Sequence, residues 1–306
     1  METLLMCTPE GFAVDYEINP WMKNQAGRVS SALAAAQWRA LFDQLSALAE
    51  VRLMTGDRAW PDLVFTANAG LPLPLDRKFI LSNFRHPQRQ GEKAIDRAWF
   101  EAAGWTCVEL PAAAVFEGAG DALFDARGRL WLGGGPRSTD ATPGCLADHV
   151  DAPIHRLTLV DPAFYHLDTC FCPLPGGAAL YLPTAFDAAS RQLLEREFGD
   201  ALIALTPEEG RLFCANAVCA DRTVLMNRAT PRLQALLAAL GFALRETPLS
   251  EFMKAGGSAK CLTLSLDGWV YEALPTAMPA RREDGDKTGR GTRRTAQTAP
   301  RRAVHD

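Results

Sequence analysis

Apolar positions along the chain follow two periods in turn. Over residues 27–50 (GRVSSALAAAQWRALFDQLSALAE), Leu33, Trp38, Leu41, Leu45 and Leu48 recur at helical spacing, which collects them on one face. Shorter helical patterns occupy 92–103, 188–198, 231–240 and 249–255. Between them lie brief strand-like runs at 51–54, 79–81, 130–132 and 224–226. Strands alternating with helices predict an α/β protein.

The same pattern repeats at a longer period. Five segments each run from a polar residue or cysteine through a short apolar strand and a turn to a second apolar strand. They are NAGLPLPLDRKFILS from Asn68, DALFDARGRLWLG from Asp121, DTCFCPLPGGAALYLP from Asp168, NAVCADRTVLMN from Asn216 and CLTLSLDGWVYEA from Cys261. The pairs Asp76-Arg77, Arg127-Gly128, Gly176-Gly177, Asp221-Arg222 and Asp267-Gly268 supply turn chemistry in their middles. A unit of about fifty residues cannot cover its own apolar face, so five of them predict a closed radial array. The five opening residues would then converge near the axis, where a site belongs.

Composition narrows the field. Apolar residues are 48% and charged residues 22%, ordinary for a globular protein with a sizeable core. The net charge of −4 hides an asymmetry: residues 273–306 carry eight Lys/Arg against four Asp/Glu, and the body 1–272 is acidic. The expected organisation is therefore a catalytic body over 1–272 and a basic, disordered tail over 273–306 that has too few large apolar groups to order itself. Neither nucleic acid nor membrane is expected as a partner, and the oligomeric state, homo-oligomer included, is left open. The start of the chain lacks the basic and apolar regions of a signal peptide. Eight scattered cysteines read as reduced thiols of a cytoplasmic protein. Cys170 and Cys172 form a lone C-x-C on an expected strand, and no metal is expected there.

The candidate chemistry clusters near the repeat openings. Cys261 follows GGSAK, where close backbone approach and Lys260 favour a thiolate, although an isolated cysteine is commonly a core thiol. His166 and Asp168, two apart in YHLDT, would face the same way on a strand. Glu117 and Asp121 bracket the glycine-rich FEGAGD, and either can orient an imidazole. Asp62 and Asn68 in PDLVFTAN would share one strand's edge. Arg137 in GGGPRST and Arg89 in RHPQRQGE read as free to bind an anion. Carboxylates for a cation, arginines for a carboxylate and Cys/His for attack on an electrophilic carbon together describe an arginine-like substrate.

With these motifs in this order (PDLVFTAN, FEGAGD, GPRS, HLDT, GGSAKC) the chain resembles the guanidine-modifying superfamily over roughly residues 1–272. These penteins are five-bladed, pseudo-symmetric α/β propellers and include arginine deiminases, dimethylarginine dimethylaminohydrolases and amidinotransferases. The resemblance implies Cys261 as a nucleophile forming a covalent thiouronium, His166 as general acid/base and Glu117 as its carboxylate partner. It implies Asp168 for the guanidinium, Arg137 for the α-carboxylate and Asp62 for the α-amino group, with Arg89 a further binding residue. No cofactor or metal is implied. E-G-A-G-D is one residue longer than the family's usual E-G-G-D, so either Glu117 or Asp121 can meet His166. Asn68, where deiminases and dimethylargininases carry Asp, and YEINPWM around Asn19 resemble the arginine dihydrolase branch. Arginine dihydrolase thus ranks first, dimethylargininase second and deiminase third. An amidinotransferase and a catalytically silent ring that only binds small molecules or proteins are the remaining alternatives.

Overall fold

The computed structural model describes residues 2–267. The tail over 273–306, its boundary with the body and the second half of the hairpin expected after Cys261 lie outside the described residues.

Five three-stranded sheets share one pairing scheme. The first closed by chain order is β1 (Thr3–Cys7) with β2 (Glu50–Met54), followed by β3 (Gly70–Leu73), β4 (Lys78–Leu81) and β5 (Thr106–Val108). Next come β6 (Ala122–Phe124), β7 (Leu130–Gly134) and β8 (Ile154–Thr158), then β9 (Phe171–Pro173), β10 (Ala179–Tyr181) and β11 (Leu202–Ala204). The fifth sheet is β12 (Val218–Ala220), β13 (Thr223–Met226) and β14 (Ala243–Glu246). In each, an antiparallel hairpin is followed by a helix and a third strand parallel to the second. The exception is the sheet of β1 and β2, whose antiparallel partner is β15 (Leu264–Ser265) from the other end of the described chain.

Local chemistry explains the hairpins. Asp221 and Arg222 both take positive φ (44° and 58°), which matches a two-residue turn to the twist of its strands. Gly176 and Gly177, at φ 85° and 93°, do so at the β9–β10 connection. The parallel third strands β5, β11 and β14, by contrast, are short and half-exposed, and their patterning did not announce them.

The expected helix over 27–50 forms at Ser31–Ser46, with Ser30 Oγ accepting from the Leu33 amide as an N-cap. It buries Ala34, Trp38, Leu41 and Leu45 against Leu4 and Met6, but Leu33 points to solvent at 44% exposure. The crossover helices of the other sheets are Glu92–Ala102, Thr142–Ala147, Ala188–Phe198 and Pro231–Ala239. The helix expected over 249–255 shortens to Ser250–Met253. Among the described residues no helix is long and apolar enough to cross a membrane.

First strands from different sheets share small cavities: Leu71, Leu123 and Leu264 line one, and Leu123, Phe171 and Ala217 another. They therefore face a common axis. The first strand of the fifth repeat is β15. It pairs with β1 through Leu4–Ser265 and Leu5–Leu264, closing the ring. Because Leu5 and Leu264 are fully buried at this closure, Leu5→Ala and Leu264→Ala should each cost about 2–5 kcal/mol. Leu75→Ala, at a position 93% exposed, should stay within about 0.5 kcal/mol. Denaturant midpoints of the three variants check this.

Candidate active site

The five opening residues of the repeats meet neighbour to neighbour. A Cβ at Gly120, beside Asp121, would fall 2.2 Å from Asn68 Nδ2, so only glycine lets these turns touch. Asp121 Oδ1 accepts from the Leu167 amide (3.2 Å), and Asn216 Nδ2 donates to the Asp168 carbonyl (3.0 Å). Asn216 Nδ2 also reaches Cys261 Sγ (3.0 Å), and the Cys261 carbonyl accepts from the Ala67 amide (3.1 Å). The circuit returns to its start.

Short helical turns, not strands, hold three of these residues. Asn68 ends the turn Thr66–Asn68, Asp121 follows Gly118–Gly120, and Asp168 lies within Leu167–Thr169. Two expectations change as a result. Asp62 and Asn68 lie on successive turns and share no strand edge, because Pro61 opens a turn of its own. His166 and Asp168 do not face the same way, because the chain leaves extended geometry at His166. They serve two different partners.

His166 Nε2 lies 2.7 Å from Glu117 Oε2, so Glu117, not Asp121, meets the imidazole. The longer E-G-A-G-D turn places Asp121 against Ser138 Oγ (2.7 Å) and the Leu167 amide. Glu117 Oε2 also accepts from Arg137 Nη1 (2.7 Å), and Oε1 accepts from the Arg85 amide (3.1 Å). Burial alone would push the Glu117 carboxyl up, but Arg137 and His166 outweigh it and hold it below the usual carboxylate range. Burial pushes His166 down to about 4, against the pull of Glu117. The imidazole is thus neutral at pH 7. With Nε2–H donated to Glu117, Nδ1 is left as a base.

Asp168 Oδ2 stands 3.3 Å from Cys261 Sγ, while its Oδ1 is buried with no hydrogen-bond partner among the described residues. Burial raises this carboxyl to about 7, opposed by Lys260 and by hydrogen bonds from Cys261 and Asn216. Burial, then Asp168, raises the Cys261 thiol well above its ordinary value. The Ser258 amide and Asn216 oppose this, and Lys260 favours the Asp168 anion.

The two arginines read as free are paired within the protein. Arg137 binds Glu117 and the Ile18 carbonyl (3.2 Å) and lies over the Tyr165 ring. Arg89 makes a two-pronged bond to Glu92 (2.9 and 2.7 Å), and donates to Asn68 Oδ1 (2.9 Å) and the Asp62 carbonyl (3.1 Å). A buried guanidinium without an anion is too costly, so each has recruited a carboxylate. Asp62 accepts from Tyr16 Oη (2.9 Å) and keeps Oδ1 unpartnered. Asn19 caps the turn Pro20–Met22 and donates to the Ala255 carbonyl (3.0 Å).

Asp62, Asn68, Arg89, Glu117, Asp121, Arg137, His166, Asp168 and Cys261 are between 0% and 3% exposed. The segment from Tyr16 to Trp21 ties itself to Asp62, Arg137, Ala163 and Ala255, which belong to four different parts of the ring. The sequence reading gave no role to Tyr16, Tyr165, Ser138 or Asn216. Of these only Asn216 had a signal, its place at the head of a repeat.

No protein-family model matches the chain. At 48% identity over 262 residues it is similar to the bifunctional arginine dihydrolase/ornithine cyclodeaminase AgrE of Nostoc sp., with 85% of this chain and 37% of AgrE covered. The chain therefore spans little more than a third of that relative's length. It is 36% identical to the dimethylarginine dimethylaminohydrolase of Mycobacterium tuberculosis, covering 84% of it. The N-terminal domain of cyanobacterial ArgZ, an arginine dihydrolase solved as a Cys-to-Ser variant with substrate, superposes with a TM-score of 0.86 at 45% identity. That match takes in 88% of this chain and 99% of the domain. The chain belongs to the pentein superfamily, in its arginine dihydrolase branch. Its five sheets are the five blades of that fold.

Two outcomes follow from the Glu117–His166 pair. Since the His166 proton binds at about pH 4 in the folded pentein and near 6.5 unfolded, its contribution to stability is full above pH 6.5 and is lost as pH falls toward 4. Its imidazole resonances should stay those of the neutral ring down to about pH 5, which NMR titration measures. Glu117→Gln should lower kcat by about 10²–10⁴, since it unsettles the tautomer and strands Arg137. Steady-state kinetics on the folded variant read that loss.

Proposed function

We propose that this pentein hydrolyses arginine at its guanidinium carbon through a covalent bond to Cys261, and does so twice, giving ornithine, carbon dioxide and two ammonia. The observation that carries the proposal is Cys261 Sγ lying 3.3 Å from Asp168, a buried carboxylate whose second oxygen has no partner. A guanidinium docked on that oxygen lies beside the nucleophile. Asp62 Oδ1, likewise unpartnered, suits the α-amino end. Arg137 and Asn19 lie at the same end of the ring, with Arg137 positioned to turn from the Ile18 carbonyl to an incoming carboxylate.

The Cys261 thiolate adds to the guanidinium carbon; one amino group takes a proton drawn from solvent through His166 Nδ1 and leaves as ammonia, giving a thiouronium and returning the imidazole to its neutral form. His166 Nδ1 takes a proton from water, which adds to that carbon and expels the thiolate, giving citrulline. A second round on the ureido carbon ends in ornithine, carbon dioxide and the second ammonia, with two waters consumed in all.

Retaining citrulline for that second round falls to Asn68. Its Oδ1 accepts from Arg89 and its Nδ2, beside Gly120, donates to the Glu117 carbonyl (3.4 Å), which leaves the second N–H of the carboxamide for a ligand. A carboxamide donates to the ureido oxygen, where a carboxylate repels it. Support for arginine over methylated arginine comes from the likeness to AgrE and ArgZ, and dimethylargininase is the second reading.

The wild-type protein should release ornithine with two ammonia per arginine. Asn68→Asp should shift release toward citrulline with one, a change of about 1.5–3 kcal/mol in holding the intermediate. Chromatography of the products decides it. Citrulline as the sole wild-type product, or dimethylamine released from dimethylarginine at higher efficiency, overturns the dihydrolase reading. Cys261→Ser should be inactive while folded, because a hydroxyl at neutral pH is a far weaker nucleophile.

A further inference from the structure

Asn216 has no part in the reaction as written above, yet it touches the reacting sulfur. Its side chain is fully buried and makes four hydrogen bonds. Nδ2 donates to Cys261 Sγ and to the Asp168 carbonyl, both at 3.0 Å. Oδ1 accepts from the amides of Ser258 (3.1 Å) and Cys261 (3.2 Å). Because backbone N–H groups can only donate, Oδ1 is fixed toward them and the NH₂ toward sulfur. One side chain thus grips the nucleophile by its main chain and its thiol together.

The backbone around Asn216 is arranged for this. Its amide donates to the Phe213 carbonyl (3.0 Å), and Phe213 holds a left-handed φ of 58° although it is bulky and completely buried. Strain of this kind persists where the surrounding structure imposes it, and it gathers at functional sites. Trp21, from the segment covering the site, packs on Phe213 with ring centroids 4.6 Å apart.

We propose that Asn216 is the thiol-holding residue of this site, which donates to Cys261 Sγ and so favours its ionised form. The inference rests on Cys261 being the nucleophile. A thiol sulfur is a weak acceptor and a thiolate a strong one, so an N–H fixed at 3.0 Å gains strength when the proton leaves. Ionisation passes the proton to Asp168 Oδ2, the acceptor at 3.3 Å, and a docking guanidinium expels it to solvent. The other titratable groups around the pair are Tyr165, whose ionisation Cys261 opposes, Cys170, Cys172 and Asp121, whose ionisation Asp168 opposes, and Lys260, which favours the Asp168 anion. Among them Asn216 is the neutral donor on sulfur.

The test uses the full chain with iodoacetamide, reading the rate of Cys261 alkylation by mass spectrometry from pH 6 to 10, alongside kcat and KM for arginine. Asn216→Asp keeps oxygens for the Ser258 and Cys261 amides but loses the donor, and Asn216→Ala removes it without adding charge. In both, the midpoint of alkylation should move up by at least about one pH unit, a tenfold loss of thiolate at fixed pH. kcat at pH 7 should fall at least as far, recover toward wild type at high pH, and leave KM within about threefold. Unchanged alkylation midpoints in folded variants overturn the proposal, as does a kcat loss that high pH does not relieve. If Asn216→Ala fails to fold, Asn216→Asp alone decides. Turnover surviving in Cys261→Ser would remove the nucleophile itself, and the proposal with it.

Discussion

The antiparallel pairing of β1 with β15, in the register Leu4–Ser265 and Leu5–Leu264, is the contact on which the site depends. It joins the start of the described chain to its end, and Cys261 lies three residues before β15. That closure, together with the Asn216 side chain, fixes the nucleophile relative to Asp168 and His166, which are carried by blades far earlier in sequence. Each blade leaves one face apolar, and the five cover one another only as a ring. Stability and catalysis therefore share one requirement, and the local hairpins are means to it.

The ring then concentrates polar groups where water is excluded. Such a cluster is tolerable only if every charge finds a counter-charge or gives up its proton. Glu117 stays ionised because Arg137 and His166 flank it, and Arg89 is satisfied by Glu92 and Asn68. Among the described residues three buried carboxyl oxygens, on Asp62, Asp96 and Asp168, remain unpartnered. Those on Asp62 and Asp168 match the two cationic ends of the proposed arginine substrate.

Much of this was legible in the sequence. The repeat openings at Asn68, Asp121, Asp168, Asn216 and Cys261 meet as a circuit because repeats of one length on one axis must place equivalent residues together. Turn pairs such as Asp221-Arg222 announced their hairpins through side chains that tolerate positive φ. Other features depend on long-range partners that no local pattern encodes. β1 pairs with β15 and not with a hairpin neighbour. Arg89 and Arg137 look like any surface arginine until the fold surrounds them. The choice of Glu117 over Asp121 turns on where one extra residue displaces a loop. The third strands Thr106–Val108 and Leu202–Ala204 are too short and too exposed to show a period.

The most direct measurement of the central claim is the intact mass of the protein acid-quenched during turnover of arginine. The account predicts a population heavier by arginine less one ammonia, mapped by peptide digestion to Cys261 and absent in Cys261→Ser. Continuous turnover with no adduct on Cys261 under any quench time, or an adduct on another residue, would contradict it.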